Sequence, residues 1–223
     1  HFGHIELAVP VFHIGFINKI KKILETVCHS CGKVLVDENN AAFKDAMRFK
    51  NPQKRFDMVW RACKGKSICE PDPPEENDGN APQKDPKKKT HGGCGNQHPD
   101  IRREGLKLVA TFKPVKGDDD EENRQPEKKP IEPQDALNIF RNISVEELTI
   151  MGLSYAYARP EWMIITVLPV PPPPVRPSIS VDGTGQGMRG EDDLTYKLGD
   201  IIRANSNVRR CEQEGSPQHV VSE

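Results

Sequence analysis

Val27-Cys28-His29-Ser30-Cys31-Gly32-Lys33 (VCHSCGK, residues 27–33) decides how this chain is read. Two thiols separated by two residues on a tight turn can grip one metal ion. A Gly after the second Cys permits the positive φ that such a turn often needs. A CxxC pair also occurs in thioredoxin-like redox folds, but no βαβ pattern surrounds this one. A tetrahedral Zn²⁺ wants four N or S ligands, so a second pair has to come from elsewhere in the chain. The candidates are Cys63, Cys69, His91, Cys94 and His98. Cys94 sits in Gly92-Gly93-Cys94-Gly95, a second Gly-flanked turn, and is the first choice. Cys69 follows the basic stretch CKGKSIC and opens the segment that returns at Cys94. Cys63 stands in register with Phe56, Val59 and Trp60 on an apolar helix face and reads as a core cysteine. Unrelated buried thiols are the plain alternative for the whole set, and disulfide pairing is the weakest reading. Cys211 lies in a polar stretch with no role assigned. Four protein ligands leave no open coordination position, so such a site is structural. The long spacing makes it a staple between segments, not a compact finger.

Outward from the knuckle, residues 14–27 read as a helix ending at Cys28. Phe16, Ile17, Ile20, Ile23, Leu24 and Val27 recur at spacings of three and four. Residues 1–13 read as extended, with Pro10 unsuited to a central strand. Residues 40–64 suggest two short helices broken at Asn51-Pro52. Residues 101–113 carry a strand in which Leu106, Leu108, Ala110 and Phe112 alternate with polar or smaller neighbours. Two helices follow at 133–142 and 144–152, the second opened by a Ser144/Glu147 capping box. Residues 162–168 read as a buried strand and 169–177 (PVPPPPVRP) as polyproline II. A Gly-rich stretch leads to a last helix capped by Asp192 or Asp193, with Leu194, Leu198, Ile201 and Ile202 along it. Residues 71–90 and 114–130 are rich in charge and Pro and are expected to be disordered. The fold class is therefore α+β: mixed helices and short strands, zinc-stapled, with two disordered charged inserts. The expected organisation is a zinc-stapled region over 1–168 and a connector, loop and helical region over 169–223.

With 223 residues the chain holds one or two domains. Its 35% hydrophobic share and 20 Pro mean that a core can be built, but not from the whole length. A formal net charge of -1 excludes a protein that coats nucleic acid by bulk charge. The longest apolar stretch, Trp162 to Val170, contains Pro169 and is about half of the ~18 residues a membrane helix needs, so no membrane partner is expected. The chain starts at His1, without Met or a visible signal peptide, and reads as a piece of something longer. Lack of a secretory signal favours a reducing compartment, where close Cys pairs usually mean metal.

Five stretches together resemble one family: HFGHIELAVPVFHIGF (1–16), VCHSCGK (27–33), GGCGNQHPDIRREGLKL (92–108), RPEWMIITVLPVPPPPVRPSIS (159–180) and RGEDDLTYKLGDIIRAN (189–205). They look like the largest subunit of eukaryotic RNA polymerase II, over essentially the whole chain outside 71–90 and 114–130. The resemblance implies a nuclear, DNA-directed RNA polymerase, a nucleotidyltransferase of transcription, of which this piece covers the clamp region and the start of the active-site region. It implies one structural zinc held by Cys28, Cys31, Cys69 and Cys94, the set reached above. It also implies contact with the DNA template, the RNA–DNA hybrid and other polymerase II subunits. An earlier zinc site of the family ends in a CPGH motif, of which only His1 is present. The loop from Pro177 to Glu191 corresponds to the lid that helps part RNA from template, lengthened here by the Gly residues of DGTGQGM. The family's NADFDGD aspartates, which hold Mg²⁺, are absent from the sequence, so catalytic Mg²⁺ is expected to bind outside it. Asp118-Asp119-Asp120 and Asp192-Asp193 do not match that motif. Through the resemblance Arg176 and Arg189 are the expected nucleic-acid-facing residues, with Arg102, Arg103 and Lys107 as further phosphate candidates, a solvated surface charge being the plain alternative for each. The rival reading is a standalone zinc-containing module that binds proteins through its Pro-rich segment.

Overall fold

The spacing of Ile17, Ile20, Ile23 and Leu24 builds helix α1 (Ile17–Leu24), and all four side chains are buried. Helix α1 is shorter than the 14–27 expected. Phe16 is its N-cap and supplies no side-chain acceptor. Beyond Leu24 the backbone turns away, with Thr26 Oγ1 donating to the Lys22 carbonyl at 2.7 Å. These facts come from a computed structural model that describes residues 1–72, 91–113 and 126–221. The chain divides into two compact units, Phe12–Ile164 and His1–Val11 with Ile165–Glu223.

In the larger unit the break at Asn51-Pro52 falls where expected, between α2 (Ala41–Met47) and α3 (Pro52–Cys63). Asn40 Oδ1 accepts from the Ala42 and Phe43 N–H groups, and Asn51 Oδ1 from that of Lys54. Each cap satisfies donors that the first turn leaves unpaired. Helix α3 lies against α1 through Phe56, buried beneath the Lys19 ammonium. Burying such a ring stabilises by about 1.5–3 kcal/mol. The Lys22–Asp57 pair at 2.9 Å and the Trp60 indole donating to Glu25 at 2.7 Å fix the register at the rim.

The stretch expected as one strand is a hairpin. Strands β2 (Asp100–Glu104) and β3 (Lys107–Phe112) pair antiparallel around Gly105-Leu106. Leu106 is therefore at the tip, 63% exposed, and not on the inner face. Strand β4 (Glu127–Ile131) adds to β3, with Leu108 opposite Ile131 and Phe112 opposite Glu127. Ile101, Leu108, Ala110 and Ile131 bury the inner face. The expected disorder over 114–130 thus ends earlier, because 127–130 complete a sheet edge; residues 114–125 lie outside the described residues. Likewise Pro71 bridges to Gly93 and Asp72 accepts from Gly92, while 73–90 lie outside the described residues.

Helices α4 (Pro133–Arg141) and α5 (Val145–Ile150) close the core with Ala136, Leu137, Phe140 and Leu148. Ser144 caps α5 by accepting from the Glu147 N–H, as its position predicts. The other half of the expected capping box is replaced: the Glu147 carboxylate accepts from the Val34 N–H at 2.9 Å, tying α5 to the knuckle strand.

The smaller unit pairs β1 (Gly3–Phe12) with β5 (Ile164–Val170) in a two-stranded sheet. Pro10 is tolerated inside β1 because a two-stranded sheet consists of edges only. Residues 162–168 are not a buried strand. Only Ile164, on the larger unit, is buried there, and Trp162 is 59% exposed. The Pro run is not one polyproline II segment either. Pro173–Val175 form a 3-10 turn, with the Val175 N–H donating to the Pro172 carbonyl at 3.0 Å. Pro at the start of such a turn gives up no needed donor and already has a compatible φ. Strands β6 (Ile179–Ser180) and β7 (Arg189–Gly190) pair at the neck of the Gly-rich loop. Asp192 then caps α6 (Asp193–Gln213) by accepting from Leu194 at 2.8 Å, and α7 (Gln218–Val221) follows. Cys211 lies within α6. Asn205 and Arg209 of α6 donate to the Glu6 carbonyl at 2.9 and 2.8 Å.

Candidate metal centre

Two turns build the site. In the first, Val27 pairs with Val34, and inside that frame the Cys28 N–H donates to the Lys33 carbonyl at 2.8 Å and the Gly32 N–H to the Cys28 carbonyl at 2.9 Å. Gly32 has φ +74, and a Cβ there would strike the Asn142 carbonyl, so only Gly serves. The second turn is made by two segments far apart in sequence. Ile68 pairs with Gln97, the Cys69 N–H donates to the Asn96 carbonyl, and the Gly95 N–H to the Cys69 carbonyl, both at 2.9 Å. Gly93 packs so closely that a Cβ would lie 2.8 Å from the Cys69 sulfur.

These turns face each other. The Sγ atoms of Cys28, Cys31, Cys69 and Cys94 all lie within 4.8 Å of one another. Cys28 and Cys94 approach to 3.5 Å, and Cys31 and Cys69 to 3.8 Å. Tetrahedral Zn–S bonds of about 2.3 Å set sulfurs about 3.8 Å apart, so the donor set and its spacing fit a Zn²⁺ ion. A disulfide needs about 2.05 Å, and all six cysteines are free thiols. Cys28 and Cys69 are buried while Cys94 reaches the surface. Burial pushes the Cys28 and Cys69 thiols upward. Burial acts the same way on Cys94, but the Asn96 backbone N–H and the neighbouring thiols outweigh it and bring Cys94 down to about 7. Cys94 is thus the readiest thiolate, and a bound divalent cation would offset the charge of the others.

Of the other candidates, Cys63 lies outside the group. It is buried at the end of α3, and burial holds its thiol up near 12. His98 is also outside: its ring stands edge-on to His29 at 4.9 Å, buried, with neither nitrogen partnered among the described residues. His91 comes closest, with Nε2 3.9 Å from the Cys69 sulfur. Lys33 was not singled out by the sequence, yet its ammonium donates to the carbonyls of His91 (3.3 Å) and Gly92 (3.0 Å), fastening the second turn to the first. The only signal for it was its place directly after the knuckle Gly.

The two arginines belong to the smaller unit. Arg176 donates from Nε to the Pro171 carbonyl at 2.8 Å and from Nη1 to Thr195 Oγ1 at 3.2 Å, which joins the Pro turn to the start of α6. Arg189 is exposed on β7, opposite Ser180. Among the described residues, no helix is long and apolar enough to cross a membrane.

The family model for RNA polymerase Rpb1, domain 1, matches residues 1–223. The match takes in both turns of the thiol cluster, the Pro-rich turn and the β6–β7 loop. The chain belongs to the RNA polymerase Rpb1 domain 1 family and is part of the largest subunit of a DNA-directed RNA polymerase, a nucleotidyltransferase of transcription.

Proposed function

We propose that this chain is part of the largest subunit of eukaryotic RNA polymerase II, acting in the nucleus, and that it holds nucleic acid in the cleft on a zinc-stapled scaffold. The observation that carries the scaffold reading is the convergence of four thiols from three separate segments. Cys28, Cys31, Cys69 and Cys94 would hold one Zn²⁺, whose chemistry there is structural because four sulfurs fill its coordination. The chain's own residues do the rest. The Val27–Val34 and Ile68–Gln97 pairings present the sulfurs, and Glu147 and Lys33 lock the turns. The Mg²⁺ of nucleotidyl transfer is assigned to residues outside this sequence, which lacks the NADFDGD motif.

The loop closed by β6 and β7 is proposed as the lid, in reach of the template and the RNA–DNA hybrid. Arg189, exposed at its neck, is the phosphate contact. Arg176, with two of its five N–H donors used locally among the described residues, sets the base of the loop and offers others to nucleic acid. Membership in a polymerase family replaces the reading as a standalone interaction module. The test is a reconstituted polymerase II carrying Arg189→Ala. Halted elongation complexes are expected to dissociate faster and with a shallower salt dependence, while the rate of single nucleotide addition stays unchanged. Unaltered complex lifetime at all salt concentrations would refute the nucleic-acid role.

A further inference from the structure

His91 is a polar side chain at the edge of the thiol cluster whose position the zinc reading leaves unused. Its side chain is only 9% exposed. On one side Nε2 lies 3.9 Å from the Cys69 sulfur. On the other, Nδ1 lies 3.9 Å from Asp37 Oδ2, a carboxylate already engaged by the Asn39 backbone and side-chain N–H groups at 3.0 and 2.8 Å. Its backbone carbonyl is held by the Lys33 ammonium at 3.3 Å. The His91 backbone is therefore held by Lys33, and the ring lies between the Asp37 carboxylate and the Cys69 sulfur with Nε2 toward the sulfur.

Either group could donate across that contact while the sulfur is a thiol. Once a cation displaces the thiol proton, the sulfur has lone pairs only and can only accept. We infer that His91 is a positioning residue for the cluster: its Nε2–H hydrogen-bonds the Cys69 sulfur in the metal-loaded chain, with Lys33 holding the His91 backbone at the required distance. This inference rests on the zinc reading above. A donor to a ligand sulfur draws off part of its negative charge and fixes its direction. Such partners typically change metal affinity by 10–100-fold.

The test uses the full chain, reduced and loaded with one equivalent of zinc, in competition with a chromophoric chelator. His91→Leu is expected to weaken zinc binding about 10–100-fold. His91→Gln, whose amide N–H occupies nearly the place of Nε2–H, is expected to recover most of that loss. Recovery by Gln separates donation from mere packing. If His91→Leu binds zinc as tightly as wild type, or His91→Gln is as weak as His91→Leu, the inference is overturned. A measurement on wild type covers the case in which His91→Leu does not fold. Long-range ¹H–¹⁵N spectra of the zinc-loaded chain are expected to show His91 protonated at Nε2, and an unprotonated Nε2 overturns the inference. X-ray absorption is expected to show four sulfurs and no nitrogen at the zinc; a nitrogen neighbour would make His91 a ligand and overturn it too. Four sulfurs with an indifferent His91→Leu refute the inference alone, whereas a wild-type chain that takes up no zinc refutes the zinc reading and the inference with it.

Discussion

The larger unit and the smaller one are held together by different means. From Phe12 to Ile164 the chain buries a continuous hydrophobic core that runs from Ile17 through Phe56, Leu108 and Phe140 to Met151, with the thiol cluster at its margin. In the other unit, among the described residues, no hydrophobic side chain is buried. There the order comes from strand pairing, a 21-residue helix with a sound cap, and polar ties from Asn205, Arg209 and Arg176 to backbone carbonyls. Hydrogen bonds of this kind contribute only about 0.5–1.5 kcal/mol each, against about 1.5–3 kcal/mol for each large side chain buried. A stretch can thus be regular in backbone without having its stability located in side-chain packing.

Metal removal should break this contrast most strongly. A structural zinc supplies on the order of 10 kcal/mol, comparable to the ~5–15 kcal/mol of a whole domain. Chelation under reducing conditions is expected to raise amide exchange by orders of magnitude at residues 27–34, 67–71 and 92–98. Exchange along α6 should be unaffected. Equal acceleration in both units would show that the staple does not belong to one of them.

Truncating the two units at matched positions comes next. Phe56→Ala, deep in the core, should cost about 3–5 kcal/mol of unfolding free energy. Ile202→Ala, half exposed on α6, should stay within about 0.5 kcal/mol. Denaturant titration of the two variants reads the difference, and similar costs would contradict the account of where the core lies.

A pH effect of intermediate size is assigned to His98. Burial, then the nearby His29, lowers its pKa from 6.5 to about 3. The unfolded chain takes up a proton below about 6.5 that the folded chain refuses, so stability falls as pH drops from about 6.5 toward 3. The slope from this one group is at most about 1.4 kcal/mol per pH unit. His98→Leu should remove that share of the slope, seen as a smaller difference in unfolding free energy between pH 7 and pH 5. An unchanged slope would mean that His98 is protonated in the fold.

Much of the larger unit could be read directly from the sequence, because periodicity and caps speak for local structure. The α1 face, the break at Asn51-Pro52 and the Ser144 cap all appear where the residues put them. Other features need the third dimension. Alternation continued through Gly105-Leu106, so the pattern alone did not mark the hairpin. Trp162 and Val167 are apolar by type but exposed, and a short apolar run carries no information about what covers it. Glu147 fits a capping box in sequence, yet in the fold its carboxylate accepts from the distant Val34 N–H. At the site, Gly-flanked thiols marked the two turns, whereas the parts played by Lys33 and His91 depend on contacts between residues 59 and 22 positions apart.

The central claim is that Cys28, Cys31, Cys69 and Cys94, and not Cys63, hold one zinc. Zinc content per chain, measured on reduced wild type beside Cys69→Ala and Cys63→Ala, tests it most directly. The expected result is one zinc in wild type and in Cys63→Ala, which should cost only a packing loss of about 1 kcal/mol, and none retained in Cys69→Ala after mild chelation. Zinc kept by Cys69→Ala and lost by Cys63→Ala, or no zinc in wild type at all, would contradict it.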